Sequence, residues 1–136
     1  MKIFVAYRYT GEDINALKII LTKIKDILES RGGNVFCSLF LDEHFESKGF
    51  SSQEIYAYCL QKLEEHDIIF FLIKSKDKST GMKLELEQAV KNNKKIILAI
   101  QNNLHFPEFR RAAHQIIRFD GLPNLYDLLS EFKPHL

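Results

Sequence analysis

Apolar and polar positions alternate along the chain in a way that predicts strand and helix by turns. Residues 2–7 (KIFVAY) read as a first strand, and a helix from about residue 12 to about residue 31 carries Ile14, Leu17, Leu21, Ile24, Ile27 and Leu28 on one stripe. Thr10 with Asp13 three residues on fits a capping box, and Gly32 and Gly33 supply the stop. A second strand is expected over Val35 to Leu41, apolar on both faces, and a polar loop over Asp42 to Gly49. Ser51 and Glu54 then cap a helix whose inner face is Ile55, Cys59 and Leu63. The most apolar run, Asp67 to Ile73, is the third strand, and the helix after it turns Met82, Leu86, Ala89 and Val90 inward. A fourth strand over Lys94 to Ile100, a turn at Asn102 and Asn103, a short helix over Pro107 to Ala113, a fifth strand over Gln115 to Phe119 and a closing helix over Leu125 to Phe132 complete the chain. This alternation predicts one α/β domain over residues 1–136, three-layered and doubly wound in the flavodoxin-like or Rossmann-like manner, with a mostly parallel five-stranded sheet.

In such a sheet, ligands sit at the carboxyl ends of the strands, which draws attention to Asp77 to Leu86, between the third strand and its helix. Ser79 and Gly81 at a helix N-terminus offer backbone N–H groups to an anion, and Glu85 adds a carboxylate beside them. A helical wheel puts Glu85 at the rim of the apolar face and Glu87 nearer solvent, so Glu85 is the better candidate; the plain alternative is a solvated carboxylate pairing with Lys83 or Gln88. Leu84 falls opposite the apolar centre, where it suits either solvent or a partner subunit. The loop after the first strand lies at the same end of the sheet. Tyr7 and Tyr9 there could stack on a base, and Arg8 could hold a phosphate; a surface loop with aromatics is the alternative. Arg110 and Arg111 form an isolated basic pair suited to an anion or to plain solvation.

Composition narrows the field. With 46% hydrophobic and 27% charged residues, the chain is of ordinary globular type. No apolar run approaches the roughly 18 residues of a membrane-crossing helix, and the N-terminus opens on a strand pattern in place of a signal peptide, so a cytoplasmic protein without a membrane partner is expected. A net charge of +1, from 19 basic and 18 acidic residues, gives no general pull toward nucleic acid. Cys37 and Cys59 sit in apolar segments as small hydrophobes, not as a disulfide framework. His44, His66, His105, His114 and His135 are scattered, with no spacing that suggests zinc. Neither a GxGxxG nor a GxxxxGK[ST] motif follows the first strand, so dinucleotide and P-loop sites have no support and no cofactor is expected.

The order of Phe4, Gly11-Glu12-Asp13, Glu43-His44, the strand from Asp67, and Ser79-Thr80-Gly81 with Glu85-Leu86 and Ala89-Val90 resembles the nucleoside 2-deoxyribosyltransferase family, most of all its branch of 2'-deoxynucleoside 5'-phosphate N-hydrolases. The likeness runs over roughly residues 2–120, with its firm part in the S-x-G-x-x-x-E-L segment. It implies that Glu85 is the nucleophile that attacks the anomeric carbon and releases the base. It also implies that Ser79 and Gly81 contact phosphate or sugar, and that Tyr7, Arg8, Tyr9, Thr10 and Gly11 lie beside base and phosphate. This sequence departs from the family at one point: the place where the family carries an Asp ahead of the third strand falls here near Tyr58 and Cys59, and no acid stands there. Breaking an N-glycosidic bond passes through an oxocarbenium-like state that a carboxylate can capture, and water or a second base then takes the glycosyl group. A nucleoside or nucleotide ligand and a homodimer are the partners this resemblance implies.

A second likeness competes. Ala6-Tyr7-Arg8, the loop ending at Gly49, and Ser79 followed by Glu85-Leu86 are also similar to a Toll/interleukin-1 receptor (TIR) domain, in which the same glutamate would cleave NAD or persist in an interaction module. A nucleotide-binding protein without catalysis is the third reading.

Overall fold

The computed structural model describes residues 1–133, so His135 lies outside the described residues. Its sheet consists of β1 (Lys2–Ala6), β2 (Asn34–Phe36), β3 (Ile68–Ile73), β4 (Lys95–Gln101) and β5 (Gln115–Phe119) in the order β2-β1-β3-β4-β5. Every neighbouring pair is parallel, so "mostly parallel" sharpens to all parallel. Period-2 alternation sends Ile68, Phe70 and Leu72 to one face and Ile69, Phe71 and Ile73 to the other, and both sets are buried. A parallel strand covered on both faces has no polar side to show, which explains the unbroken apolar runs.

Helices α1 (Ile14–Ser30) and α6 (Leu122–Glu131) cover the first face. Helices α3 (Ser52–Glu64), α4 (Thr80–Lys91) and α5 (Pro107–Ala112) cover the second, with the short α2 (Asp42–Ser47) beside α3. The doubly wound α/β arrangement expected from the alternation is the one present. Because α1 leaves β1 toward one face and α4 leaves β3 toward the other, a crevice opens between the carboxyl ends of β1 and β3, the switch point of this strand order.

Local differences from the sequence reading have physical causes. Asp13, not Thr10, caps α1, accepting from the Ala16 amide at 3.2 Å; Thr10 lies in a tight turn with Gly11 at φ +81°. The second strand stops at Phe36, because this edge strand has only β1 to pair with, and the chain coils into a 3-10 turn over Ser38–Leu41. The polar stretch expected as a loop is α2, held by Phe45, whose buried ring meets Phe50 at 5.4 Å and Tyr58 at 5.3 Å. Val90 is 52% exposed, so the inner stripe of α4 is Met82, Leu86 and Ala89 alone. Ile14 is likewise exposed on α1, while Ile20 joins the stripe. The closing helix starts at Leu122, one turn early, with Pro123 in its first turn. The Ser51–Glu54 capping box is present in full, with bonds of 3.1 and 3.0 Å.

Candidate active site

A cavity of about 330 Å³ occupies the crevice, within the range of small-ligand sites. Its walls come from the loop after β1, the 3-10 turn, α2, α3 and the start of α4. Of the residues singled out in sequence, Tyr7, Tyr9, Thr10, Ser79, Gly81 and Glu85 line it.

Glu85 stands in the second turn of α4, between the core residues Met82 and Leu86, and is half-buried where a wheel put it at the rim. It makes no hydrogen bond or ion pair with any described residue; Gln88 is bonded instead to Glu64, together with Asn92. Burial pushes the Glu85 carboxyl up to about 8. Its neighbours offer no relief, since the thiols of Cys37 and Cys59 are themselves pushed up by burial, to about 12 and about 11, with the Glu85 charge adding to each. A carboxyl in that state exchanges a proton near neutral pH, and when ionised it carries a negative charge with nothing beside it to neutralise it.

The start of α4 is built for a different task. Ser79 caps the helix, its hydroxyl accepting from the Met82 amide at 3.2 Å, which leaves the Thr80 and Gly81 amides of the first turn without an intrahelical acceptor. Gly81 sits close against α3: a Cβ there would lie 3.0 Å from the Tyr56 ring, which would have to give way slightly. The Tyr7 hydroxyl is 2.9 Å from Ser38 Oγ, which joins β1 to the 3-10 turn across the cavity floor, and burial raises the Tyr7 phenol well above its ordinary value. Tyr9 donates to Asp42 at 3.5 Å, the outer limit of such a bond. Burial raises the Asp42 carboxyl somewhat, and the Tyr9 bond opposes this.

Arg8 and Gly11 do not line this cavity. Arg8 lies in a neighbouring crevice of about 20 Å³, where its guanidinium meets Glu12 at 3.4 Å and Asp77 at 3.8 Å, and Lys74 completes the group at 3.1 Å from Glu12. Gly11 supports that arrangement, because its positive φ and its lack of a Cβ let the Arg8 guanidinium lie against it; a Cβ would fall 2.9 Å from Nη2. Arg110 and Arg111 line neither space.

Sequence reasoning missed Ser38, Asp42, Ser52 and Tyr56, which all line the cavity. Only Asp42 carried a signal, as an acid beside a predicted strand end. Cys59 is also in the wall. Among the described residues no group of three or more His, Cys, Asp or Glu side chains could hold a metal ion, and no helix is long and apolar enough to cross a membrane.

No family model matches the chain, and no curated protein matches it in sequence. Solved structures do match. The CMP N-glycosidase BcmB of Clostridium botulinum superposes with a TM-score of 0.71 at 16% identity, over 96% of this chain and 98% of its own. A 2-deoxyribosyltransferase from Bacillus psychrosaccharolyticus gives 0.71 at 21% identity over the full length of both chains. A conserved protein from Enterococcus faecalis V583 gives 0.63 at 8% identity, over 96% and 98%. At these identities the likeness establishes a shared fold along the whole length.

Proposed function

We propose that the chain is a nucleoside 2-deoxyribosyltransferase-type enzyme that cleaves or transfers the N-glycosidic bond of a nucleoside or nucleoside 5'-monophosphate, with Glu85 as the nucleophile. The observation that carries this reading is the Glu85 carboxyl itself, unpartnered in the wall of a ligand-sized cavity at the switch point of the sheet. Two of the structures that share the fold act, by name, on this kind of bond.

A Glu85 oxygen attacks the anomeric carbon as the C–N bond breaks, and the bonding pair leaves with the base, which takes up a proton. Water or an incoming base then attacks the same carbon from the freed face and restores the carboxylate. Cationic charge develops on the sugar in both transition states, so an ionised Glu85 with no competing partner is worth more there than in the resting protein. The first-turn amides of α4 beside Ser79 and Gly81 suit a sugar hydroxyl or phosphate, and Tyr7, Tyr9 and Thr10 flank the ligand. Leu84, 39% exposed, and Tyr56, 43% exposed, line the cavity and support a second copy of the chain packing over the site.

The test is free-base release from deoxynucleosides, their 5'-monophosphates and NAD, for the native chain and Glu85→Gln. Base release from the nucleosides or nucleotides that falls by about 10³-fold or more in the variant is expected. Release that survives the substitution removes the mechanism. Nicotinamide release alone points to NAD cleavage of the TIR type, and phosphate-ligand binding without any release points to a silent nucleotide-binding protein.

A further inference from the structure

The cavity wall contains the carboxyl groups of Glu85 and Asp42 and no lysine, arginine or histidine. Glu85 is placed by the reaction. Asp42 is not, and it comes from a separate element, the first residue of α2. Its one described side-chain hydrogen bond is the long one from Tyr9, itself 47% exposed, so acceptor capacity remains unused on a carboxylate that faces a ligand-sized space. A plain structural role is the stabilising charge in the first turn of α2, but Glu43 already stands in that turn.

We propose that Asp42 reads the base, accepting a hydrogen bond from an exocyclic amino group, so that the cavity takes cytosine- or adenine-type bases in preference to their oxo counterparts. The inference rests on the nucleoside reading above. If the anomeric carbon lies at Glu85 and the phosphate end at the start of α4, the base falls toward the remaining polar wall, where Tyr9 and Phe45 flank Asp42. A carboxylate accepts from the N4 amino group of cytosine, whereas the O4 carbonyl of uracil would face it acceptor to acceptor. One such base-edge contact is worth about 5- to 150-fold in discrimination.

The experiment measures 2'-deoxycytidine and 2'-deoxyuridine, which differ only at that edge, in two ways. Calorimetric binding is read on Glu85→Gln, which keeps the cavity without turnover, and on the same variant carrying Asp42→Asn, a change of equal size. Base release is read on the native chain and on Asp42→Asn alone. A cytidine preference of about 5-fold or more that collapses in Asp42→Asn, whose amide offers both a donor and an acceptor, is the expected result. Equal affinity for the two nucleosides in the Asp42-containing protein overturns the proposal without reference to any Asp42 variant, as does a preference that survives Asp42→Asn. Turnover without base preference would leave Glu85 standing and remove Asp42; selective binding without turnover would do the reverse; binding of neither nucleoside, nor of either 5'-monophosphate, would remove both.

Discussion

Two crevices lie side by side at the carboxyl ends of β1 and β3, and they handle charge in opposite ways. In the smaller one, Arg8, Lys74, Glu12 and Asp77 neutralise one another at 3.1 to 3.8 Å. In the larger one, Glu85 has no countercharge among the described residues, and Asp42 has one long hydrogen bond from Tyr9 and the more distant charge of Lys18. Charges that are mutually satisfied hold loops together, and charges left unsatisfied in a concave, ligand-sized space are the ones available to do chemistry. Arg8, an attractive phosphate ligand in sequence, is engaged elsewhere: its Nη1 meets Glu12 and, more loosely, Asp77, while its buried Nε has no partner among the described residues.

The comparison breaks most sharply at Glu85, where Glu85→Gln should cost about 10³-fold or more in base release while leaving the fold in place. Next in size is Glu12→Gln, in the crevice of paired ions. Glu12 is 14% exposed and bridges Arg8 and Lys74, so its loss strands the partly buried Lys74 and leaves Arg8 only its looser contact with Asp77. A loss of about 1–3 kcal/mol in chemical denaturation is expected. A variant as stable as the native chain would mean that the ion cluster is only decoration.

A third prediction comes from pH. The Glu85 carboxyl has a folded value of about 8 against an ordinary 4.5, so folding favours its protonated form. That contribution is fully present below pH 4.5 and is lost as pH rises through about 8. The stability of Glu85→Gln relative to the native chain should therefore climb between these limits, by at most about 1.4 kcal/mol per pH unit, with solvent in the cavity reducing the slope. Parallel melting curves of the two proteins from pH 5 to pH 9 would contradict the unpartnered state of Glu85. Smallest is Gly81→Ala, whose Cβ pushes on the half-exposed Tyr56 ring, which can swing away. A stability change below about 1 kcal/mol is expected, with a larger effect on ligand affinity because the ring lines the cavity.

The strands were legible because a sheet covered on both faces writes each one as an apolar run between turn residues. That signal misleads at an edge. Val35, Cys37 and Leu39 keep the period-2 pattern and are all buried, yet the chain has left the ladder at Phe36 and coils through a 3-10 turn. Helix α2 was illegible because one ring, Phe45, anchors a segment otherwise polar, and its partners Phe50 and Tyr58 become neighbours only once α3 has packed. Glu85 was found through its place after β3, but its burial was not, since that depends on α3 closing over the helix. The fate of Arg8 was hidden for a similar reason: Lys74 and Asp77 stand more than sixty residues away in sequence and come close only when β1 pairs with β3.

Tyr7 and Ser79 border both crevices, so these two residues form the partition between the ion cluster and the ligand chamber. Trimming Tyr7 would run the acidic chamber into a compartment that already holds an arginine and a lysine, lengthening the trough toward cations without touching β1, α4 or the glutamate between them.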